Sequence, residues 1–129
     1  MSRDFFYTNP AVIDLVTDGS VHCLYSWSVA SGETMHFAGN VSTSYGNAIT
    51  EFAIYVYKDG QEVATSWTDD WFEGSTTHNN ISASVFYNER VSQDAVFELC
   101  YWTFYQQQIL VNHLQYQYQI FGKGHNWGA

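Results

Sequence analysis

The residues of this chain best suited to chemistry lie between Trp67 and Glu73, where Trp67, Trp71 and Phe72 are interleaved with Asp69, Asp70 and Glu73. Aromatic rings stack on apolar ligand faces and carboxylates accept hydrogen bonds from hydroxyls, so the stretch could form a sugar-binding loop. A bolder use of the same carboxylates is as the acid and base of a glycosidase. The plainer account, a loop with exposed acids and anchoring tryptophans, fits these residues at least as well. The acids match no calcium-loop spacing. His22, His36, His78, His113 and His125, with Cys23 and Cys100, show no zinc-ligand spacing. Nucleophile-elbow, phosphate-loop and dinucleotide motifs are absent. The expectation is a protein without catalysis, metal or cofactor.

Composition narrows the partners. The net charge is −9, from 13 acids against 4 bases, and the cations Arg3, Lys58, Arg90 and Lys123 are scattered. A nucleic-acid surface needs clustered Lys and Arg, and an anionic membrane would repel this chain. No apolar run reaches the roughly 18 residues of a membrane-spanning helix. The opening residues lack the long apolar core of a signal peptide, so a cytoplasmic or non-classically secreted protein is expected. Cys23 and Cys100 each sit in an apolar, strand-like run, which favours two buried thiols, with a bridge as the alternative.

Positioning such residues requires a framework, and 129 residues allow one compact domain, here the whole of 1–129. Helix signals are poor. Strand signals are dense: short alternating runs of aromatic and β-branched residues between Gly, Asn, Asp and Ser clusters. The pattern predicts strands near 11–16, 21–29, 33–41, 50–58, 61–68, 75–78, 81–87, 96–105, 108–118 and 119–121. Asp59-Gly60 supplies a tight hairpin turn. In the run from Phe97, the side chains of Phe97, Leu99 and Tyr101 point one way and Cys100, Trp102 and Phe104 the other. From Leu114 onward, Gln115, Gln117 and Gln119 form a wet polar face opposite Leu114, Tyr116, Tyr118 and Ile120. The fold class expected is all-β, an antiparallel sandwich or barrel. The aromatic surface could equally serve a protein interface.

Several segments occur in a familiar order. The run from Gly32 to Val41 is similar to the pattern G-x-x-[I/L]-x-I-x-G-x-V, with Met35 and Phe37 at its apolar positions. The hairpin from Glu51 to Trp67 follows, then Asn79, Phe86 seven residues later and Glu89 ten residues later. Phe97-Glu98-Leu99 and Ile109-Leu110-Val111-Asn112 complete the series. Across roughly residues 30–114 this order resembles the galectins. The resemblance implies a two-sheet, jelly-roll-like antiparallel sandwich that binds β-galactosides on its concave sheet, without metal or catalysis. It also implies a homodimer through edge strands.

The resemblance places Asn79, Glu89 and Phe86 at the family's Asn, Glu and stacking Trp. It places Ser66, Thr68 and Asp70 where His, Asn and Arg would stand on the preceding strand. Val91 falls at the last Arg, with Arg90 adjacent. Losing those donors leaves sugar hydroxyls unpaired, at roughly 1–3 kcal/mol each. The function expected is therefore a lectin-like domain with altered or lost β-galactoside specificity, its partner a glycan or glycoprotein. The alternative is a protein-interaction or assembly sandwich that binds no sugar.

Overall fold

The computed structural model describes residues 2–9, 13–16, 18–45, 49–71, 78–103 and 109–122. Among the described residues, alternating sequences form nine strands: β1 Ser2–Thr8, β2 Ile13–Asp14, β3 His22–Val29, β4 Thr34–Tyr45, β5 Ile49–Lys58, β6 Gln61–Trp71, β7 His78–Arg90, β8 Ala95–Thr103 and β9 Ile109–Phe121. One sheet runs β1-β9-β4-β7, with β2 also pairing to β9, and the other runs β3-β8-β5-β6. All pairings are antiparallel. The two sheets face each other across one core, so the chain is an all-β sandwich, as its pattern predicts.

The core explains the aromatic content. Met35, Phe37, Val41, Val85, Leu114, Tyr116 and Ile120 face inward from the first sheet, and Trp27, Val29, Ile54, Val56, Phe97, Leu99 and Tyr101 from the second. Facing sheets lie about 10 Å apart, a gap that flat rings fill well. Trp27 is the hub: its ring stacks on Phe37 at 4.8 Å and Tyr118 at 5.3 Å, with Phe97 at 5.9 Å. Its indole N–H donates to the Met35 sulfur at 2.9 Å, which gives a buried donor an acceptor. Phe5 continues the stack onto Tyr25 at 5.2 Å and Tyr118 at 5.3 Å. Fully burying each such side chain stabilises the fold by roughly 1.5–3 kcal/mol.

Turn chemistry sets the strand ends. Asp59 and Gly60 both take positive φ, 49° and 82°, and join β5 to β6 as their types require. The Asp59 carboxylate accepts from the Val96 N–H at 2.9 Å, which docks this hairpin onto β8. At the β3–β4 turn, the Glu33 carboxylate accepts from the Ala30 N–H at 2.7 Å and the Arg3 guanidinium at 2.9 Å.

Four sequence expectations are corrected. Ser2–Thr8 is a strand that the alternation failed to reveal, because Phe6 points outward between inward Phe5 and Tyr7 and three successive aromatics follow three successive polar residues. The strand expected at 81–87 is part of a longer one, β7, which includes His78, Asn79 and Asn80, and its register against β4 shifts between Ile81 and His78; residues 75–77 of the other expected strand lie outside the described residues. The stretch expected as a loop after Thr68 remains strand to Trp71, since Asp69 and Asp70 pair with Glu51 and Thr50. Glu73 lies outside the described residues. Finally, Cys23 and Cys100 are not thiols: they stand opposite each other on β3 and β8 and form a disulfide.

Candidate functional site

The outward side chains of β1, β9, β4 and β7 form a grid. On β9, Gln115, Gln117 and Gln119 alternate with buried Leu114, Tyr116 and Ile120, as the sequence pattern requires. The same alternation turns His36, Ala38 and Asn40 outward on β4, and Ser84, Phe86 and Asn88 on β7. On β1 it exposes Asp4, Phe6 and Thr8. Strand register aligns these residues in three crosswise rows. The central row is Phe6, Gln117, Ala38 and Phe86; on one side lie Thr8, Gln115, Asn40 and Ser84, and on the other Asp4, Gln119, His36 and Asn88.

The central row is walled at both ends by exposed rings, Phe6 at 57% and Phe86 at 69% accessibility. Neighbouring strands lie about 4.8 Å apart, so the backbone positions of these rings are separated by roughly 14 Å. A cleft of about 380 Å³ lies between them, lined among others by Asp4, His36, Ala38, Asn88, Gln117 and Gln119. A second hollow of about 220 Å³ continues it past Asn40, Ser84 and Gln115. Ala38 supplies the depth, since any larger residue there would fill the floor. Asn40 is oriented by donating to Ser84 Oγ at 2.7 Å, and the Gln115 amide oxygen lies 3.2 Å from His113 Nε2. Side-chain amides offer donors and acceptors on one group. The face therefore combines ring platforms with groups that hydrogen-bond hydroxyls in either sense.

The structure does not bring the seven residues placed by resemblance into one site. Phe86 fronts the cleft. Glu89, three residues on, lies on the opposite side of β7, where it pairs with Lys58 at 2.6 Å and accepts from the Tyr87 hydroxyl. Burial pushes the Glu89 carboxyl up, but the bonds from Lys58 and Tyr87 outweigh it and hold the group below its ordinary value. Burial and the Glu89 bond push the Tyr87 phenol up to about 12. The pair thus ties β5 of one sheet to β7 of the other. Arg90 is exposed at the end of β7, about 14 Å along the strand from Phe86. Asn79 shares that strand, near its other end.

Ser66, Thr68 and Asp70 stand on β6, in the other sheet, where they pair with Ile54, Phe52 and Thr50. Ser66 takes the inward side that its partner Ile54 occupies. The galectin arrangement needs successive strands in one sheet, whereas here the chain changes sheets between β6 and β7. Sequence reasoning missed Phe6, His36, Ala38, Asn40 and Asn88. The signal available was the polar comb of β9, Gln115, Gln117 and Gln119, which marks the outer face of the sheet.

The outer face of the second sheet is also aromatic. Trp67, 52% exposed, stacks on Trp102 at 5.3 Å, and both flank fully buried Ala53. Trp102 is anchored by its N–H to the Gly19 carbonyl at 2.9 Å. Glu98 lies beside the Cys23 and Cys100 sulfurs, but those are bonded to each other and offer no thiolate pair to a metal. Nearby, a hydrogen bond from His22, then one from the Ser20 N–H, lowers the Asp18 carboxyl.

No family model matches the sequence, and no curated protein matches it. Solved structures do match its backbone. The structure of infectious bursal disease virus Gx strain superposes with a TM-score of 0.63 at 13% identity, over 98% of this chain and 33% of that one. The crystal structure of the infectious bursal disease virus VP2 subviral particle gives 0.58 at 14% identity, over 95% and 33%. The likeness is one of fold alone. This chain spans about a third of the length of those chains. A family 35 carbohydrate-binding module from Clostridium thermocellum overlaps more loosely, with a TM-score of 0.40 at 12% identity over 88% of this chain and 90% of that one.

Proposed function

We propose that this chain is a non-catalytic carbohydrate-binding sandwich whose site is the outer face of the β1-β9-β4-β7 sheet. The observation that carries this is the crosswise row of Phe6, Gln117, Ala38 and Phe86, two exposed rings with a small floor between them and polar rows on both flanks. Sugars present C–H faces to rings and hydroxyls to amides, and this face supplies both. Asp4 is the sole carboxylate lining the cleft among the described residues, whereas glycoside hydrolysis commonly uses a pair. Specificity is altered from that of galectins, because among the described residues Phe86 is the one carried over by resemblance that lines the cleft. The Cys23–Cys100 bridge suits an oxidising compartment, where glycans are displayed.

The test is binding of the purified protein to a glycan array, followed by Phe86→Ala. The substitution is expected to weaken glycan binding at least tenfold while leaving the melting temperature within about 2 °C, since Phe86 is largely exposed and lies outside the buried core. Unchanged affinity would remove Phe86 from the site.

A second reading is a protein-assembly sandwich, including the homodimer that the galectin resemblance implies. The fold likeness to a virus particle favours it, as does the exposed Trp67–Trp102 pair, since aromatics dominate interface hot spots. It predicts concentration-dependent association in analytical ultracentrifugation that Trp67→Ala weakens. A monomer at every concentration would count against it.

A further inference from the structure

Resting on the sugar-binding proposal, we infer that the ligand is an uncharged, extended glycan chain lying across the strands from Phe6 to Phe86. Direction follows from the grid. The apolar contacts lie along one crosswise row, and the hydrogen-bonding rows lie parallel to it at about 7 Å on either side. A chain of sugar rings set along that row meets a ring platform near each end and amides along both of its edges. The same chain set along a strand would meet one platform at most, and would cross polar side chains with its apolar faces.

Length follows from the separation of the platforms. Roughly 14 Å between Phe6 and Phe86 is longer than a single sugar ring, so a monosaccharide reaches one phenyl group and an oligosaccharide reaches both. The second hollow beside Asn40 and Ser84 adds room along the Phe86 side.

Charge follows from the lining. Among the described residues the cleft and its extension contain Asp4 and no Lys or Arg. Arg90 stands one row beyond Asn88, outside the lining. With a net charge of −9 behind it, this face disfavours carboxylated or sulfated sugars.

The experiment is calorimetric titration of the full chain with neutral linear oligosaccharides of increasing length, alongside sialylated and sulfated counterparts. It is repeated for Phe6→Ala, Phe86→Ala and the double variant, with thermal melts as the folding control. Affinity is expected to rise with length and then level off. Each single variant should lose at least tenfold on the long ligand. On the shortest ligand that binds, one of the two should have little effect. Acidic counterparts should bind at least tenfold more weakly. Affinity independent of length, or a Phe6→Ala variant indistinguishable from wild type on every ligand, overturns the crosswise chain and leaves simple sugar binding standing. Tighter binding of the acidic sugars overturns the neutral class. Absence of binding to any sugar overturns both this inference and the proposed function.

Discussion

Removing the Cys23–Cys100 bridge should lower the melting temperature by about 7–17 °C while leaving the sandwich folded at room temperature. The bridge joins β3 to β8 across 77 positions of sequence, and the enclosed chain contains β4, β5, β6 and β7. Closing a loop of that length removes about 15 cal/mol/K from the unfolded ensemble, or about 4.5 kcal/mol at 25 °C. Bridges commonly deliver roughly 2–4 kcal/mol, because strain and residual unfolded structure subtract from that figure. Unfolding entropy near the midpoint is about 2.1 cal/mol/K per residue, hence about 0.27 kcal/mol/K for this chain, and dividing one by the other gives the temperature range. The paired β3–β8 ladder remains when the bridge is cut, so the native state should persist. The assay is differential scanning calorimetry of wild type with and without reductant, and of the Cys23→Ala, Cys100→Ala double variant. Intact mass after alkylation reports which thiols are free. Cys23 is exposed and Cys100 fully buried, so reductant should reach the bridge through the Cys23 sulfur. If the reduced protein and the double variant both melt within 2–3 °C of wild type, the loop-entropy reasoning fails. Alkylation of both cysteines without reductant would refute the bridge itself.

Glu89 has a folded pKa below its unfolded value, so its stabilising effect is present above about pH 4.5 and is lost as pH falls through the folded value; urea titrations between pH 3 and 7 should show Glu89→Gln about 1 kcal/mol less stable at neutral pH, with the difference shrinking in acid. Burial, then the hydrogen bond with Tyr25, pushes the Tyr118 phenol up to about 12, and Tyr87 reaches the same value. Ultraviolet titration should therefore show a late-ionising class of tyrosines, and stability should fall as pH rises from about 10 towards 12. A β-carbon at Gly39 would meet the Phe37 ring at 3.1 Å, and that ring cannot retreat because it is stacked on Trp27. Gly39→Ala should therefore cost about 1 kcal/mol net in urea denaturation, overpacking outweighing the roughly 0.5–1 kcal/mol gained by replacing a strand glycine; a stabilised variant would mean the ring slides.

Much of the framework was legible because strand periodicity is local. The alternation from Leu114 to Ile120 assigned those side chains of β9 to the core or the outer face, and the split of Phe97, Leu99 and Tyr101 from Cys100 and Trp102 separated the two faces of β8. Asp59-Gly60 marked its hairpin because positive φ at two successive residues selects those types. Where local composition was ambiguous, the signal failed. Asp4-Phe5-Phe6-Tyr7 hides its alternation behind an exposed phenylalanine, and Asn79-Asn80 reads as a break although β7 continues through it, with only a shift of its register against β4.

The site was less legible, for a physical reason. The residues carried over by resemblance, Ser66, Thr68, Asp70, Asn79, Phe86, Glu89 and Arg90, were placed by position along the chain, and position along the chain does not say which sheet a strand joins. The amino-acid sequence by itself determined an all-β chain, the inward and outward faces of most strands, and a polar glutamine comb on β9. Only tertiary structure decided that β6 and β7 part company into different sheets, that β1 folds back beside β9, and that Cys23 meets Cys100. Those are choices of long-range partner and register. A period of two residues specifies which face a side chain takes, and leaves open which strand lies beside it. That choice set Phe6 in line with Phe86, roughly 14 Å of sheet and most of the sequence apart.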